Sequence, residues 1–445
     1  MKNMHSIERN PLRGIEERDL CRRHFLLIEN PYGVSIRKIL CRSFLLILFN
    51  FQFSFFNSAE AQSFSLDWHG FVNPHYYADS RSVVGGREDM MLFYPKPILR
   101  DSLGNDINDG WQADMLAITA RLGLRITGPE MLGAKTSAYI EGDFTGSTNA
   151  TINDLRLRHA YITLDWGNHK LLAGQYWYAM VVHEIMPMTN PLNMGAPFHC
   201  YARQPQVRYE YHHDAFEAVA VAQWQLDNMS QGVLNGTPTS STLFARHSLM
   251  PELTAQLRLN QEKLFFGAAV NLKTIQPFVQ TVYTAQQPPT DLHTSLTYSF
   301  FGRLKYGEFT VKFQTLLNNT LYEGCSLGGY VIKQDLGSDI YRIWDWYFNT
   351  AWLDIERTEG HWRPGLFLGY AKRKNVNSGA KTSGYNFYQV FGRGAELDYL
   401  WRIQPRLTYT TGNGLSFTGE AEYTRAGYAT PVGNLRLSLS MVYAF

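Results

Sequence analysis

The chain has 445 residues, of which 14% are aromatic and 18% charged, and its formal net charge is +2. No run of Lys or Arg favours nucleic acid as a partner. The 27 Phe, 26 Tyr, 10 Trp and 36 Gly suit strands and tight turns better than helices. The length fits either two ordinary globular domains or one large all-β barrel.

The N-terminal region has the parts of a secretory signal peptide. Arg37 and Lys38 lead into an apolar stretch at 39–56, and Ala59-Glu60-Ala61 follows it. A basic flank, an apolar stretch and an A-x-A site are typical of such signals. A transmembrane anchor is the alternative, but the uninterrupted apolar core, 44–49, is far shorter than the about 20 residues that a spanning helix needs.

We therefore expect a signal peptide at about 34–61 with cleavage after Ala61. Residues 1–33 are charged and lack apolar periodicity, so we interpret them as an N-terminal extension upstream of a true start near Val34. The mature chain, 62–445, is predicted to be a single domain.

Strict alternation of apolar and polar residues recurs through the mature chain. In the segment 116–127, every second residue from Leu116 to Ile126 is apolar, with Arg121 and Arg125 on the other face. The closing segment NLRLSLSMVYAF, which ends at Phe445, behaves in the same way. Period-two alternation of this length predicts strands with one apolar and one polar face.

Sixteen such segments are predicted. They lie at about 64–78, 113–127, 134–145, 155–166, 168–178, 204–213, 215–226, 250–260, 263–273, 294–305, 308–319, 343–355, 361–372, 396–411, 414–426 and 433–445.

The connections between these segments alternate between short and long. Long ones include 79–112, 179–203 and 227–249, whereas Gly128-Pro129 and His213-Asp214 mark short ones. Short periplasmic turns, long outer loops and an even strand count are typical of outer-membrane barrels. We therefore predict an all-β, transmembrane antiparallel barrel of about sixteen strands in a bacterial outer membrane, with its apolar face against outer-membrane lipid.

If lipid covers the apolar face, the other face lines a lumen. Alternation then places these basic residues inside: Arg121, Arg125, Arg156, Arg158, Arg208, Arg258, Arg303, Lys305, Arg402, Arg406 and Arg436. It places these acids inside as well: Glu141, Asp143, Glu210, Glu217, Glu420 and Glu422. Rings of Arg and Lys select anions. The alternative, which alternation leaves open, is that each arginine pairs with a lumenal acid and only holds the wall together.

The segment 179–200 has an unusual composition for an exposed loop, with three prolines and four methionines. One interpretation is a constriction loop folded into the channel, with His183, Glu184 and His199 as candidate lining residues. The other is an outer loop packed on a neighbouring subunit. His183 and Glu184 do not form a metal motif, because no second histidine follows four residues later. No metal, cofactor or catalytic residue is predicted.

Cys200 and Cys325 are predicted to lie in outer loops, where the compartment permits a disulfide. The sequence leaves open whether they pair. No Walker loop or H-E-x-x-H motif supports catalysis. A barrel with a closed lumen that serves adhesion or assembly is one alternative function, and a barrel hydrolase is another.

The stretch LRLRHAYITLDWGNHKLLAGQYWYAM at Leu155–Met180, followed by RQPQVRY at Arg203–Tyr209, resembles the DcaP-like trimeric porins. The opening Gly70-Phe71-Val72, the segment GLSFTGEAEYT and the terminal Phe445 are similar as well. The resemblance implies sixteen strands, a homotrimer, and a basic constriction that favours dicarboxylates and related small anionic or polar solutes. Carried onto matching positions, it implies a solute path at Arg156, Arg158, Gln175, Arg203, Gln206 and Arg208. The family's founding members carry a coiled coil before the barrel, which we do not find in this sequence.

Overall fold

The computed structural model describes residues 64–190, 194–282, 289–337, 340–374 and 385–445. The predicted signal peptide and N-terminal extension, 1–61, lie outside the described residues. The chain after them, Ser63–Phe445, forms one compact unit.

The described ranges contain β-strands, one short α-helix, α1 (Leu243–Arg246), and three single-turn 3₁₀ helices at Asn149–Thr151, His183–Ile185 and Tyr322–Gly324. The strands are β1 (Ser65–Val72), β2 (His75–Arg81), β3 (Val83–Gly86), β4 (Met91–Pro95), β5 (Asp109–Leu116), β6 (Arg121–Thr127), β7 (Lys135–Asp143), β8 (Arg156–Asp165), β9 (His169–Trp177), β10 (Arg203–His213), β11 (Phe216–Gln223), β12 (Gln231–Leu234), β13 (Thr237–Ser240), β14 (Glu252–Asn260), β15 (Leu264–Ile275), β16 (Phe278–Val279), β17 (His293–Tyr306), β18 (Phe309–Asn319), β19 (Gly328–Asp335), β20 (Tyr341–Arg357), β21 (Trp362–Lys374), β22 (Tyr385–Arg393), β23 (Tyr399–Thr410), β24 (Leu415–Ala426) and β25 (Val432–Ala444).

Sixteen antiparallel strand positions close into a barrel. The first position consists of β1 and β2, the second of β5 and β6, and each later position is a single strand. Around the barrel, each position pairs with the next one in chain order, ending with β25. The first and last positions then pair with each other, through Phe71 with Ala444 and Tyr76 with Leu439. Closure leaves no strand edge unpaired, which a sheet in lipid requires. The predicted fold class is confirmed.

The first two barrel positions are each broken in the middle, which alternation did not predict. Pro74 separates β1 from β2, and the turn 117–120 separates β5 from β6. Proline lacks the N–H that a ladder needs, so the first strand bends there. The neighbouring strand bends at the same level, because β1 pairs with β6 and β2 with β5. Ile118 therefore packs in a buried cluster with Tyr77 and Met90 instead of facing lipid.

The barrel is apolar outside and polar inside. On β14, Leu257 is 59% exposed on the outer face, whereas Gln256 and Arg258 beside it are buried inside. The same contrast holds on β18, where Phe313 is exposed and Gln314 is buried. A water-soluble sandwich would bury the apolar faces against each other. An exposed apolar belt around a polar interior is the arrangement that lipid stabilises.

The outer end of the barrel is built up by the long loops. β19 pairs with the outer part of β20 on one side and with β22 on the other. β19 and β22 therefore extend the sheet above the rim of the barrel. β12, β13 and β16 form a small separate sheet. Phe244 of α1 joins Val233, Phe278 and Tyr330 in the apolar core of this region. No helix among the described residues is long and apolar enough to cross a membrane.

We expect an arginine on the lipid-facing side to destabilise the barrel. Leu257→Arg should lower the free energy of unfolding by about 2–4 kcal/mol, the cost of an arginine near the bilayer midplane. The matched control is Leu249→Arg in an outer loop, where the leucine is 90% exposed and lies outside any strand. Urea unfolding in phosphatidylcholine vesicles measures both. Equal, small losses in the two variants would contradict a lipid-facing Leu257.

Candidate functional site

The described parts of the loop between β9 and β10, residues 178–190 and 194–202, lie inside the barrel, and we call them the inner loop. Its apolar residues Met180, Val182 and Phe198 are fully buried. They belong to one cluster with inward-facing wall residues such as Phe301 and Phe367. The methionine-rich composition therefore serves packing against one side of the lumen, since methionine fills irregular spaces well.

Gln314 on β18 holds both limbs of the inner loop. Its Nε2 donates to the carbonyl of Met180 at 3.3 Å, and its Oε1 accepts from His199 Nδ1 at 2.7 Å. The same amide also bonds the Ser299 hydroxyl (3.0 Å) and the Trp352 indole N–H (3.3 Å). A single side chain thus fixes the start and the end of the loop to the wall.

Charged wall residues hold the tip of the loop through its backbone. The N–H of Asn190 donates to the Glu420 carboxylate at 3.1 Å, and the N–H of Met188 donates to Asp354 at 3.2 Å. Lys312 Nζ donates to the carbonyl of Met186 at 3.1 Å. These bonds satisfy backbone groups that would otherwise be buried without partners.

The three predicted loop residues have different surroundings. Glu184 forms an ion pair with Arg258 at 3.3 Å, and His183 lines the larger cavity described below. His199 is fully buried, and this burial lowers its pKa to about 4. It is therefore a neutral side chain at pH 7 that fixes the loop to Gln314 and does not contact solvent.

Opposite the inner loop, β6, β8 and β10 carry the most basic part of the wall. Arg156 donates to both oxygens of Asp143, at 3.1 and 2.9 Å. Arg158 bridges Glu141 at 2.5 Å and Asp143 at 2.6 Å, and it is 1% exposed. Removing both carboxylates would leave the buried charge of Arg158 unpaired, which costs about 3–5 kcal/mol.

A β-bulge shapes this wall. The pairing between β7 and β8 shifts register, so that Glu141 faces His159 and Gly142 faces Leu157, which leaves Arg158 as the extra residue. Both Arg158 and His159 are consequently buried, although simple alternation would place His159 on the lipid face. Bulges re-aim side chains in this way. Alternation alone could not find His159.

Arg203 stacks on aromatic rings instead of pairing with an acid in the described structure. Its guanidinium carbon lies 4.2 Å from the centroid of the Trp177 ring and 5.1 Å from that of Tyr201. Its Nη2 also donates to the Tyr201 hydroxyl at 3.1 Å. Such stacking orients a guanidinium without neutralising it.

Tyr201 reports the positive potential of this region. Burial alone would raise its pKa, but the charges of Arg203, Arg158 and Arg121 lower the pKa to about 7. A tyrosine normally ionises near pH 10. The arginines around it therefore stabilise a negative charge, here a phenolate.

Most of the other predicted lumenal cations pair with acids. The pairs are Arg208 with Glu210, Arg258 with Glu184 and Glu217, Arg402 with Glu422, Arg406 with Asp354 and Glu356, and Arg436 with Asp79. Asp79, Asp354 and Glu356 were not predicted, although their alternation on β2 and β20 would have placed them inside. For these cations the structure fits the interpretation that ion pairs hold the wall together.

Four predicted cations have weaker contacts. Arg121 lies 3.6 Å from Glu141 and also sits over the Phe71 ring. Arg125 lies over Tyr139 and Arg303 over Phe265, at 5.7 and 5.6 Å from the ring centroids. Lys305 is exposed near the short turn at Gly307.

The two glutamines taken from the family resemblance contact the backbone. Gln206 Nε2 donates to the carbonyl of Trp177 at 2.8 Å. Ala160 pairs with Gln175 on one side and with the lipid-facing Ile140 on the other, so Gln175 belongs to the same cross-strand row as Ile140. The Nε2 of Gln175 donates to the carbonyls of Leu157 and Arg158. Gln175 therefore satisfies the carbonyls that the bulge exposes.

Two cavities meet at Arg121. The larger, about 900 Å³, opens towards the short turns and is lined by Arg125, Tyr139 and His183 among others. The smaller, about 230 Å³, lies among the long loops and includes Arg87, Arg156 and Arg203. Both include Arg121 in their lining. A route between the two barrel ends would pass this residue, between the inner loop and the basic wall.

The segment Gly324–Gly328, GCSLG, matches the G-x-S-x-G spacing of a hydrolase nucleophile. That motif requires an exposed serine between a strand and a helix. Here Ser326 is fully buried, donates to the carbonyl of Pro197 at 3.0 Å and accepts from Asn319 at 2.6 Å. It precedes a strand, β19. The geometry is that of a structural serine.

Among the described residues, no group of three or more His, Cys, Asp or Glu side chains is placed to hold a metal ion.

Comparisons with known proteins show the fold. The outer-membrane channel DcaP of Acinetobacter baumannii is 18% identical, with a TM-score of 0.61 over 86% of this chain and 98% of that one. The anion-selective porin from Comamonas acidovorans is 10% identical, with a TM-score of 0.52 over 86% and 100%. A trimer form of OmpT of Vibrio cholerae is 9% identical, with a TM-score of 0.51 over 86% and 100%.

No family model and no curated protein matches this sequence. The similarity to solved structures nevertheless shows that the chain has the fold of outer-membrane porins, with DcaP among its structural neighbours, as the family resemblance implied.

We expect Gln314→Leu to loosen the inner loop, because the substitution removes the bonds to both limbs while keeping the volume. Single-channel recordings should show a larger and noisier current. Thr315→Val is the matched control, since Thr315 is the next residue on β18 and its hydroxyl bonds the Thr350 carbonyl away from the loop. An unchanged current in Gln314→Leu would contradict the anchoring role.

The inner loop should also weaken at acidic pH. Because the pKa of His199 is about 4 when buried and about 6.5 when exposed, the unfolded chain binds the extra proton between these values. The contribution of His199 to the free energy of unfolding is therefore fully present above about pH 6.5 and is lost as the pH decreases towards 4. The drop in unfolding free energy between pH 7 and pH 4.5 should be smaller in His199→Asn, which cannot titrate. Identical pH dependence in both proteins would contradict this assignment.

Proposed function

We propose that this protein is a passive outer-membrane channel for small polar solutes, with a preference for anions such as dicarboxylates. The observation that carries the proposal is the row of incompletely neutralised cations, Arg121, Arg125 and Arg203, beside the two cavities. Solutes would move down their gradient with arginines replacing part of their hydration, and we propose no catalysed reaction.

The charge balance of this wall supports anion preference. The lumenal arginines on β6, β8 and β10 outnumber the lumenal acids with which they pair on β7 and β10, which are Glu141, Asp143 and Glu210. The arginines are Arg121, Arg125, Arg156, Arg158, Arg203 and Arg208. Arg156, Arg158 and Arg208 are paired, so the surplus falls on the remaining three. A guanidinium with unused donors can bind a carboxylate by two parallel hydrogen bonds.

The opposite side of the route carries acids. Glu356 accepts from Lys312 at 2.6 Å and belongs to the lining of the larger cavity. Glu184 lies on the inner loop. A basic wall facing acidic groups across a narrow passage sets up a transverse field, which orients polar solutes.

The structural neighbours lend support at the level of their names. The Comamonas protein is described as anion-selective, and OmpT has been obtained as a trimer. We propose a homotrimer for this chain as well, with the apolar outer face in contact with lipid.

A barrel with a blocked lumen that serves adhesion or assembly is the second candidate. Chain segments that fill the outer half of the lumen favour this candidate. One of them is β4, which is entirely buried and whose backbone carbonyls accept hydrogen bonds from Arg402. A channel conducts ions across a bilayer and a blocked barrel does not, so single-channel current recordings decide between the two candidates.

Neutralising the unpaired cations should reduce anion selectivity. In Arg125→Gln/Arg203→Gln, the zero-current potential in a salt gradient should shift towards cations, because two surplus positive charges are lost. The matched control is Arg208→Gln/Glu210→Gln, which removes one cation and one anion of a pair and leaves the net charge unchanged. A zero-current potential that stays the same in both variants would sink the proposed role of Arg125 and Arg203.

A further inference from the structure

The two cysteines of the mature chain lie where the inner loop meets an outer loop. The returning limb of the inner loop, 196–202, packs against residues 320–327, and two hydrogen bonds join them. Tyr201 N donates to the Gly324 carbonyl at 2.7 Å, and the Ser326 hydroxyl donates to the Pro197 carbonyl at 3.0 Å. On each segment the cysteine is found between the two bonded residues.

The two cysteines lie in neighbouring parts of the fold. A Cβ placed on Gly324 would lie 3.6 Å from the Cβ of Cys200 and 3.7 Å from its Sγ. Cys325 is the next residue, with its Cα about 3.8 Å from that of Gly324. Cys325 also packs on the apolar cluster that contains Cys200. Disulfides join Cβ atoms about 3.5–4.5 Å apart, so the bond requires the segment 324–325 to bring the Cys325 side chain towards Cys200.

We propose that Cys200 and Cys325 form a disulfide, a modification site that ties the inner loop to residues 320–327. Neither thiol is bonded to another described cysteine. Cys21 and Cys41 precede the predicted cleavage site after Ala61, so each remaining cysteine has only the other as an intramolecular partner. The periplasm, through which the chain must pass, supports disulfide formation.

The oxidant is the disulfide of a periplasmic dithiol oxidase. While the chain is still in the periplasm, the Cys325 thiolate attacks one sulfur of that disulfide and forms a mixed disulfide, while the other sulfur leaves as a thiolate. The Cys200 thiolate then attacks the Cys325 sulfur and releases the second oxidant sulfur. Two electrons pass to the oxidant, and the two thiol protons of the chain are released.

The environment suits a stable cross-link. Cys200 is fully buried, and burial raises the pKa of its thiol, so this sulfur is a poor first nucleophile in the folded barrel. Once bonded, the Cys200 sulfur stays buried, and a reductant reaches the bond through the partly exposed Cys325 sulfur. The link would act on the limb whose Ala196 carbonyl accepts from Arg402 and whose Phe198 carbonyl accepts from Thr350.

Intact-mass analysis of protein purified from outer membranes without reductant tests the bond. After unfolding in the presence of a maleimide, we expect no labelled thiol, and two labelled thiols after reduction. Digestion should yield one peptide pair joined through Cys200 and Cys325. In Cys325→Ser, one thiol should label without reduction. Two labelled thiols in unreduced protein, both as isolated and after refolding with oxidised glutathione, would overturn the proposal.

A second readout rests on the proposed function as a channel. Dithiothreitol should increase current noise in the wild-type channel, and should leave Cys200→Ser/Cys325→Ser unchanged. Noise that does not respond to reduction of a proven disulfide would contradict the coupling of this bond to the pore. A complete absence of current would contradict the channel function instead, while the mass analysis would still decide on the disulfide.

Discussion

A backbone in lipid has no water to bond with, and this constraint governs the whole structure. Every strand N–H and C=O within the bilayer must find a partner in a neighbouring strand. The pairing of β1 and β2 with β25 meets this need by joining the ends of the sheet. Closure in turn separates two environments, so that alternate residues face acyl chains or the interior.

The interior then has to manage a large number of charges. Here it does so in two ways, since one part of the wall is neutralised by ion pairs and another keeps a positive surplus. Arg436 with Asp79, and Arg406 with Asp354, are paired and buried. On the part of the wall that faces the inner loop, Arg203 has aromatic neighbours in place of an acid. The division lets one barrel keep a paired, stable wall and still carry the positive surplus that the proposed selectivity requires.

The inner loop is the element that gives the lumen its shape. Its apolar side chains cover the apolar portion of the wall around Phe301 and Phe367, and its backbone is held by Gln314, Glu420 and Asp354. The loop thus fills one side and leaves the basic side free. The prolines and methionines of 179–200 suggested a constriction loop as one interpretation, but the contacts of the loop could not be predicted, because its partners lie far away in sequence.

Sequence alone predicted the barrel strands well, for a clear reason. A period of two is local, and Leu257 beside Arg258 shows it within two residues. The breaks at Pro74 and 117–120, and the bulge at Arg158, were missed because each depends on the register of neighbouring strands. The partners of the arginines were missed for the same reason, as Asp354 reaches Arg406 across β21.

We propose that water and ions cross the barrel between the inner loop and the basic wall. Planar-bilayer recording with the purified, refolded protein measures this passage. We expect discrete current steps as single barrels insert, carried mainly by anions. Persistent electrical silence, with folded barrels shown to be present in the bilayer, would contradict it.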